Sequence, residues 1–247
     1  MKPFLLALSF FTRVPIPTHN YSEEDWGKSV NYYPLVGLVI GGLLMGIHTL
    51  TEMWFSSQLS TVLTLVFWIY ITGGLHLDGW MDLADGLGSN RERDKMLEIM
   101  KDSRVGAMGV LAVLMLLMVK GSALYELQGI YHGMWLILIP VCARTFVLFA
   151  IQIWPYASKA GLGSGMRGGL QGKYLFLGVL LTVILGWLIG GAQALLVIAI
   201  TAIGGFWLCS HIARKLGGLT GDCYGACIEW CETIALLSIV GTGRWFV

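Results

Sequence analysis

Long runs of apolar residues separated by short polar connections dominate the sequence. A helix that crosses the hydrocarbon core of a bilayer needs about 20 mostly apolar residues. Seven stretches meet this requirement: 34–54, 59–77, 105–126, 131–153, 174–192, 194–213 and 226–243. The last is the least regular, since Glu229 and Glu232 fall in its first turns. With no internal repeat or second domain visible, the pattern predicts an all-α, polytopic integral membrane protein. We expect about seven transmembrane helices in a single domain, residues 1–247.

The composition supports a membrane protein and excludes a soluble globule. Hydrophobic residues make up 56% of the chain and charged residues 13%, whereas soluble domains carry about a quarter charged residues. The net charge of +1 gives no reason to expect a nucleic-acid partner. In the first span Gly37, Gly41, Gly42 and Gly46 have the GxxxG spacing that lets helices approach closely in lipid.

Lysine and arginine residues occur in alternate connections. They lie in the N-terminal arm and in segments 78–104, 154–173 and 214–225, and none lies in 55–58, 127–130 or the turn at 193. Cytoplasmic loops carry an excess of these residues. The N-terminus and the three long connections are therefore predicted to be cytoplasmic, with residues 1–17 at the membrane interface.

Three acidic residues stand at i, i+4 and i+7 directly after the second span. Asp78, Asp82 and Asp85 would share one face of a helix that continues from that span. The other acids of 78–104 alternate with Arg and Lys, as on a solvated face, but these three have apolar neighbours. Carboxylates stacked so closely repel unless a cation or protons lie among them. Oxygen ligands of this kind suit Mg²⁺ or Mn²⁺ and do not suit zinc, so we predict a metal site at the predicted cytoplasmic face.

Two more polar segments lie on the same predicted membrane side. Segment 101–106, Lys-Asp-Ser-Arg-Val-Gly, puts basic side chains beside the metal site, as phosphoryl transfer requires, although basic flanking of a span would also explain it. Segment 217–229 is rich in glycine, which lets backbone N–H groups approach a phosphate or a flat ligand. Within it, Asp222 and Glu229 stand at i and i+7 on one helical face.

Three segments, HLDGWMDLADG (76–86), LEIMKDSRVGAMG (97–109) and GGLTGDCYGACIE (217–229), together resemble the cobalamin synthase family, adenosylcobinamide-GDP ribazoletransferase. The likeness extends to LSFFTRVPIP (8–17) and YYPLVGLVIGG (32–42). It implies a multi-pass enzyme of the inner (cytoplasmic) membrane that needs Mg²⁺. Adenosylcobinamide-GDP would react with α-ribazole, or with α-ribazole 5′-phosphate, to give adenosylcobalamin or its 5′-phosphate and GMP.

The resemblance gives the polar residues specific roles. The ribazole hydroxyl would attack the phosphorus nearest the cobinamide arm, with Mg²⁺ on Asp78, Asp82 and Asp85. For the general base, Asp85 and Asp102 are the leading alternatives, followed by Asp222 or Glu229. His76 could also serve, but at the end of an apolar span a packed, hydrogen-bonded histidine is the better expectation. The predicted catalytic residues are Asp82, Asp85, Asp102 and Arg104, and the predicted substrate-binding residues are His76, Lys101, Ser103, Thr220, Asp222 and Glu229.

Two other functions fit parts of the sequence. A cation-coupled transporter could use the three aspartates as its ion site, but transporter sites usually lie near the bilayer midplane, often in repeated halves. A non-catalytic scaffold for enzymes of cobalamin synthesis would leave the aspartates unexplained. A homo-oligomer, or an association with other enzymes of that synthesis, is compatible with the sequence.

Overall fold

A computed structural model describes residues 1–17, 21–127, 133–158, 163, 165–243 and 245–246. These residues form eleven α-helices and, beyond one isolated bridge between Tyr156 and Leu219, no β-structure. In chain order the helices are α1 (Lys2–Phe11), α2 (Glu23–Ser29), α3 (Tyr33–Glu52), α4 (Ser57–Ile71), α5 (Leu75–Gly88), α6 (Arg93–Ile99), α7 (Ala107–Leu127), α8 (Trp135–Ile153), α9 (Met166–Gly169), α10 (Gly172–Leu216) and α11 (Gly221–Gly243). The all-α prediction is confirmed.

Five helical segments are long and apolar enough to cross a membrane: α7, α8, α10, α11 and the segment that ends with α3. Helices α4 and α5 also qualify if they are taken together, although the chain bends by 85° between them. Helix α10 has 45 residues, which would make a straight helix of about 67 Å. That length is roughly twice the thickness of the hydrocarbon core.

Helix α10 does not run straight, because its backbone is non-helical at Gly191 (φ 52°, ψ −130°). A Cβ added to Gly186 would lie 2.8 Å from the Cδ1 atom of Ile198, whereas these two positions are about 18 Å apart along a straight helix. Thr182 and Thr201 also line one cavity. The two halves of α10 are therefore antiparallel neighbours that match the predicted spans 174–192 and 194–213, with the turn at Gly191 rather than at 193. With these halves counted separately, six segments among the described residues are long and apolar enough to cross a membrane, whereas α4, with 15 residues, is shorter than the about 20 residues of a full span.

The predicted continuous helix from the second span into the aspartates is wrong. Helix α4 ends at Ile71, and α5 starts at Leu75 after Gly73 and Gly74, whose φ angles are +67° and +70°. Glycine adopts this left-handed conformation without steric cost. Two such residues in succession turn the chain, so α5 is a separate helix, and we treat it as the start of the connection to α7.

Helix α8 lies at the centre of the protein and packs against α3, α10 and α11. Its contact with α3 is close because Gly37 and Gly41 have no side chain: a Cβ on either would lie within 2.7 Å of the α8 backbone. Gly42 and Gly46, in contrast, have no neighbouring atom within 4 Å of that position. The GxxxG prediction therefore holds for the first pair of glycines.

Three of the predicted basic connections meet on one side of the protein, which we call the basic face. The Arg93 Nε group donates a 2.7 Å hydrogen bond to the Leu216 carbonyl, and its Nη2 group donates to the Ala157 carbonyl at 3.2 Å. The Leu219 N–H donates to the Pro155 carbonyl at 2.9 Å. The described parts of connections 89–106, 154–171 and 217–220 are thus neighbours, as the alternation of basic and neutral loops predicted.

Candidate active site

Helix α5 brings the three aspartates to the first turn of α11. A Cβ added to Gly79 would lie 2.6 Å from the Asp222 carbonyl oxygen, and one added to Gly225 would lie 3.3 Å from the Cα of His76. These two glycines let the helix backbones touch. The contact places Asp222, in the first turn of α11, beside the aspartate face of α5.

Four carboxylates influence one another in this region, which we call the carboxylate cluster: Asp78, Asp82, Asp85 and Asp222. The charges of the other three all act on Asp82. Asp78 is exposed, and the rest are half-buried. Partly buried carboxylates so close together repel one another, which favours a bound cation or protons in the cluster.

Asp85 differs from the other members because its two oxygens already accept hydrogen bonds. One accepts from the Gly106 N–H at 2.7 Å and the other from the Gly109 N–H at 2.8 Å. Gly106 directly precedes α7 and Gly109 lies in its first turn, where backbone N–H groups have no partner within the helix. A Cβ on either glycine would strike the Asp85 carboxylate. The structure therefore places Asp85 as an anchor for the start of α7, which argues against its predicted roles as metal ligand and base.

The carboxylate oxygens of the cluster are chemically suited to bind Mg²⁺. Among the residues that the structure describes, no three His, Cys, Asp or Glu side chains are close enough to hold a metal ion by themselves. Mg²⁺, however, is usually bound by one or two carboxylates together with substrate phosphates and water. Asp78, Asp82 and Asp222 supply only oxygen atoms, so they fit that kind of site.

The predicted residues of segment 101–104 lie at the surface. Arg104 donates to Asp102 through Nε (3.0 Å) and Nη2 (2.6 Å), and these bonds lower the pKa of Asp102 to about 2. The Arg104 side chain is 88% exposed, and Lys101 and Ser103 are exposed as well. Asp102 is thus a carboxylate paired with arginine, which makes it a weak proton acceptor and argues against its predicted role as base.

Thr220 caps helix α11. Its hydroxyl accepts a hydrogen bond from the Cys223 N–H at 3.3 Å and lies 3.4 Å from an oxygen of Asp222. A threonine at this position stabilises a helix start. Thr220 is buried, so the structure gives it a role in orienting Asp222 rather than a surface for direct contact with substrate.

A largely apolar pocket of about 120 Å³ adjoins the carboxylate cluster. Its polar lining side chains include Asp78, Asp222 and His76. His76 is 1% exposed, and neither of its ring nitrogens has a hydrogen-bond partner. The expectation of a packed histidine is confirmed, but the expected hydrogen bond is not found. The remaining lining residues are Phe10, Phe11, Tyr33, Leu75, Val147, Gly163, Met166, Gly221, Tyr224, Gly225 and Ile228.

Glu229 does not line this pocket, which argues against its predicted role in substrate binding. It is 3% exposed and accepts a 2.8 Å hydrogen bond from the Lys120 Nζ group. Lys120 also donates to Glu232, which in turn accepts a hydrogen bond from Arg144. Because α11 begins at Gly221, its two glutamates lie well inside the helix and form a buried, charge-balanced network that joins α7, α8 and α11. We withdraw Glu229 as a substrate-binding residue.

The sequence analysis missed the aromatic walls of the pocket. Phe10 and Phe11 come from α1, Tyr33 from the start of α3 and Tyr224 from α11. Residues 1–17 were expected only at the membrane interface, yet Phe11 is 3% exposed and the Arg13 N–H bonds to the Ile71 carbonyl at 2.8 Å. The paired aromatics in LSFFTR were the available signal, but aromatic residues in an apolar run usually belong to a core.

Similar proteins identify the family to which the chain belongs. A family model described as cobalamin-5-phosphate synthase (CobS) matches residues 3–240. The chain belongs to this family. Three similar relatives are all named adenosylcobinamide-GDP ribazoletransferase. The protein of Brevibacillus brevis is 51% identical over 243 residues (98% of this chain, 99% of the relative). That of Alkaliphilus oremlandii is 37% identical over 239 residues (96% of each chain), and that of Pseudomonas syringae is 37% identical over 246 residues (97% and 99%).

The resemblance to the cobalamin synthase family is thereby confirmed. No solved structure matches the chain. Nothing in the comparisons supports the transporter alternative.

Proposed function

We propose that this chain is an adenosylcobinamide-GDP ribazoletransferase. It joins adenosylcobinamide-GDP to α-ribazole, or to α-ribazole 5′-phosphate, and releases GMP. The observation that carries the proposal is the carboxylate cluster beside an aromatic pocket on the basic face, in a chain of the CobS family. Carboxylates can hold a divalent cation that neutralises a diphosphate substrate. An aromatic pocket can stack against a flat base.

The reaction replaces the phosphoanhydride bond to GMP by a phosphoester bond to ribazole. A ribazole hydroxyl oxygen attacks the phosphorus nearest the cobinamide arm and forms a new P–O bond. The P–O bond to the bridging diphosphate oxygen breaks, and that oxygen leaves on GMP. The hydroxyl proton passes to a base. Positioning and charge stabilisation supply most of the catalysis in reactions of this type.

Among the predicted bases, the contacts favour Asp222. Asp85 is bonded to the start of α7, Asp102 to Arg104, and Glu229 to Lys120. Asp222 is half-buried, lines the pocket and receives only a long contact from Thr220. A general base must lie within hydrogen-bond reach of the proton that it accepts. We infer that Asp222 accepts the proton from a ribazole bound in the pocket.

We infer that Mg²⁺ is held by Asp78 and Asp82, with Asp222 near it. When bound, the ion would neutralise charge on the diphosphate and on the departing GMP. Asp85 fixes α5 to the start of α7 and so stabilises the positions of Asp78 and Asp82 on α5. Lys101 and Arg104 remain predicted phosphate contacts, and Arg104 would have to leave Asp102 to make one.

Release of labelled GMP by the purified protein tests the proposal. Adenosylcobinamide-GDP labelled in its guanosine phosphate is supplied with α-ribazole, with its 5′-phosphate, or with neither. We expect labelled GMP only when a ribazole is present, loss of release when Mg²⁺ is chelated, and recovery when Mg²⁺ is restored. A folded protein that releases no GMP with either ribazole, but moves ions into vesicles, would be a transporter instead.

A further inference from the structure

The lining of the pocket next to the carboxylate cluster includes a buried polar side chain that has no hydrogen-bond partner in the protein. His76 is 1% exposed, its two ring nitrogens make no hydrogen bond, and it lines the pocket. Buried polar groups in proteins are nearly always hydrogen-bonded, and exceptions require an explanation. A neutral imidazole has one N–H donor and one acceptor nitrogen. His76 therefore has a donor and an acceptor that no protein group uses, and both are available to a molecule bound in the pocket.

The walls around His76 are flat and aromatic. The Phe11 ring centroid lies 5.4 Å from the His76 ring at an angle of 39°, and 4.6 Å from the Tyr33 ring in an edge-to-face arrangement. Tyr224 lines the pocket near Tyr156, with 6.4 Å between their ring centroids. Ring systems prefer offset-stacked or edge-to-face neighbours. The lining thus suits a planar aromatic group better than a flexible chain.

The polar residues in the lining restrict the ligand further. The pocket is not closed on all sides, and its lining includes the exposed Asp78 and the half-buried Asp222. A flat ring can lie against the aromatic walls while a sugar attached to it reaches the two carboxylates. A nucleoside-like molecule that inserts its base therefore fits this arrangement.

We propose that this pocket binds the aromatic base of ribazole and that His76 donates a hydrogen bond to the free ring nitrogen of that base. The inference rests on the proposed function, because it assigns one of that reaction's two substrates. The ribose then lies at Asp78 and Asp222, which places its hydroxyl at the base that we infer for the reaction. Phe11, Tyr33 and Tyr224 form the walls.

Guanine, the other flat base among the proposed substrates, fits the pocket less well. It carries an amide and an amino group, and burying them would require several polar partners. The buried polar lining near His76 offers few, since the pocket is largely apolar. The ribazole base has one free ring nitrogen and otherwise apolar edges. A site with a single hydrogen-bonding group therefore selects it.

Binding of 5,6-dimethylbenzimidazole, the free base of ribazole, tests the inference without any turnover. Its intrinsic fluorescence is followed in detergent as wild type, His76→Phe and His211→Phe are titrated. His211 is a histidine of α10 that stacks on Trp207, away from the pocket. We expect His76→Phe to weaken binding at least tenfold and His211→Phe to bind like wild type. Equal binding by His76→Phe and wild type would overturn the proposal.

Competition on the wild type separates the two flat bases and does not depend on whether a variant folds. Unlabelled α-ribazole should displace 5,6-dimethylbenzimidazole, and guanosine should not. Displacement by guanosine alone would assign the pocket to the GDP moiety and contradict the proposal. Because neither measurement requires GMP release, base binding without turnover would count against the proposed function alone.

Steady-state kinetics then connects the pocket with the reaction. Phe11→Leu, which keeps the site apolar but removes one aromatic wall, should raise the KM for α-ribazole about tenfold. The KM for adenosylcobinamide-GDP should stay unchanged. A rise confined to the KM for adenosylcobinamide-GDP would contradict the assignment.

Discussion

At the scale of single residues, the hydrogen-bond partner of each acid decides what it can do. Asp85 is bound by two backbone N–H groups, Asp102 by a guanidinium and Glu229 by an ammonium group. Asp82 and the nearby Asp78 lie among carboxylates that repel one another, and a divalent cation would relieve this repulsion. We therefore assign to the reaction the carboxylates that no strong donor binds, which are Asp78, Asp82 and Asp222.

Asp85→Asn tests the anchoring role of that carboxylate. An amide has only one oxygen acceptor and no charge, so one N–H of α7 loses its partner and the favourable charge at the helix start disappears. We expect a loss of about 1–2 kcal/mol in the free energy of unfolding, seen as a lower Tm in detergent. The exposed Asp78→Asn variant is the matched control and should keep its Tm. Equal Tm values for Asp85→Asn and wild type would refute the anchor.

Glu229→Gln tests the buried network in the same way. The change leaves the Lys120 charge with Glu232 as its remaining partner, and breaking a buried ion pair costs about 3 kcal/mol or more. We expect a clear fall in Tm with near-normal turnover per folded molecule. Glu98→Gln, which breaks an exposed pair with Lys95, should change Tm little. Lost turnover at an unchanged Tm would return Glu229 to the active site.

At the scale of helices, the site depends on the contact between α5 and α11. The hydropathy pattern was sufficient to predict α3, α7, α8 and the two halves of α10, because lipid demands long apolar helices. It could not predict the bend before α5, since the apolar run continues to Leu77 while the turn depends on the left-handed Gly73 and Gly74. The spacing of Asp78, Asp82 and Asp85 was enough to predict that they share one helical face. Their neighbours on α7 and α11 could not be predicted, because those contacts depend on tertiary packing.

Gly79→Ala tests the helix contact directly. The new methyl group would lie 2.6 Å from the Asp222 carbonyl oxygen and must push α11 away from α5. Overpacking of this kind typically costs about 1–3 kcal/mol, and the carboxylates would separate. We expect turnover to fall at least tenfold, measured as GMP release. Gly42→Ala adds the same methyl group in α3 where no atom lies within 4 Å, and should be active. An active Gly79→Ala enzyme would argue against the close contact.

At the scale of the whole molecule, one side of the protein contains the functional features. The carboxylate cluster, the pocket and the connections with most of the lysine and arginine residues all lie on the basic face. The alternation of charged and neutral loops was enough to predict that these connections lie on one side, because the basic loops of a membrane protein stay together. The aromatic pocket could not be predicted, since α1, α3, α5 and α11 form it from distant parts of the chain. We propose that the basic face lies on the cytoplasmic side of the membrane.

Labelling with a membrane-impermeant thiol reagent tests that orientation. Single cysteines are placed in 86–100, 160–170 or 216–220, in a variant that lacks the five native cysteines. They should react only from the cytoplasmic side, because nucleotide substrates are available there. A cysteine in the neutral connection 55–58 serves as the control and should react only from the opposite side. Labelling of 86–100 from outside would reverse the orientation.

The most direct test of the account is the Mg²⁺ dependence of GMP release by wild type, Asp82→Asn and Asp94→Asn. Asp82 is at the centre of the carboxylate cluster, and its amide removes charge with little change in volume. Losing a metal ligand should cost several kcal/mol of transition-state stabilisation, or roughly a thousandfold in rate. Asp94, on the exposed surface of α6, is the matched control. We expect Asp94→Asn to match wild type and Asp82→Asn to stay inactive at saturating Mg²⁺ while remaining folded; near-normal activity of Asp82→Asn would contradict the carboxylate cluster as the catalytic centre.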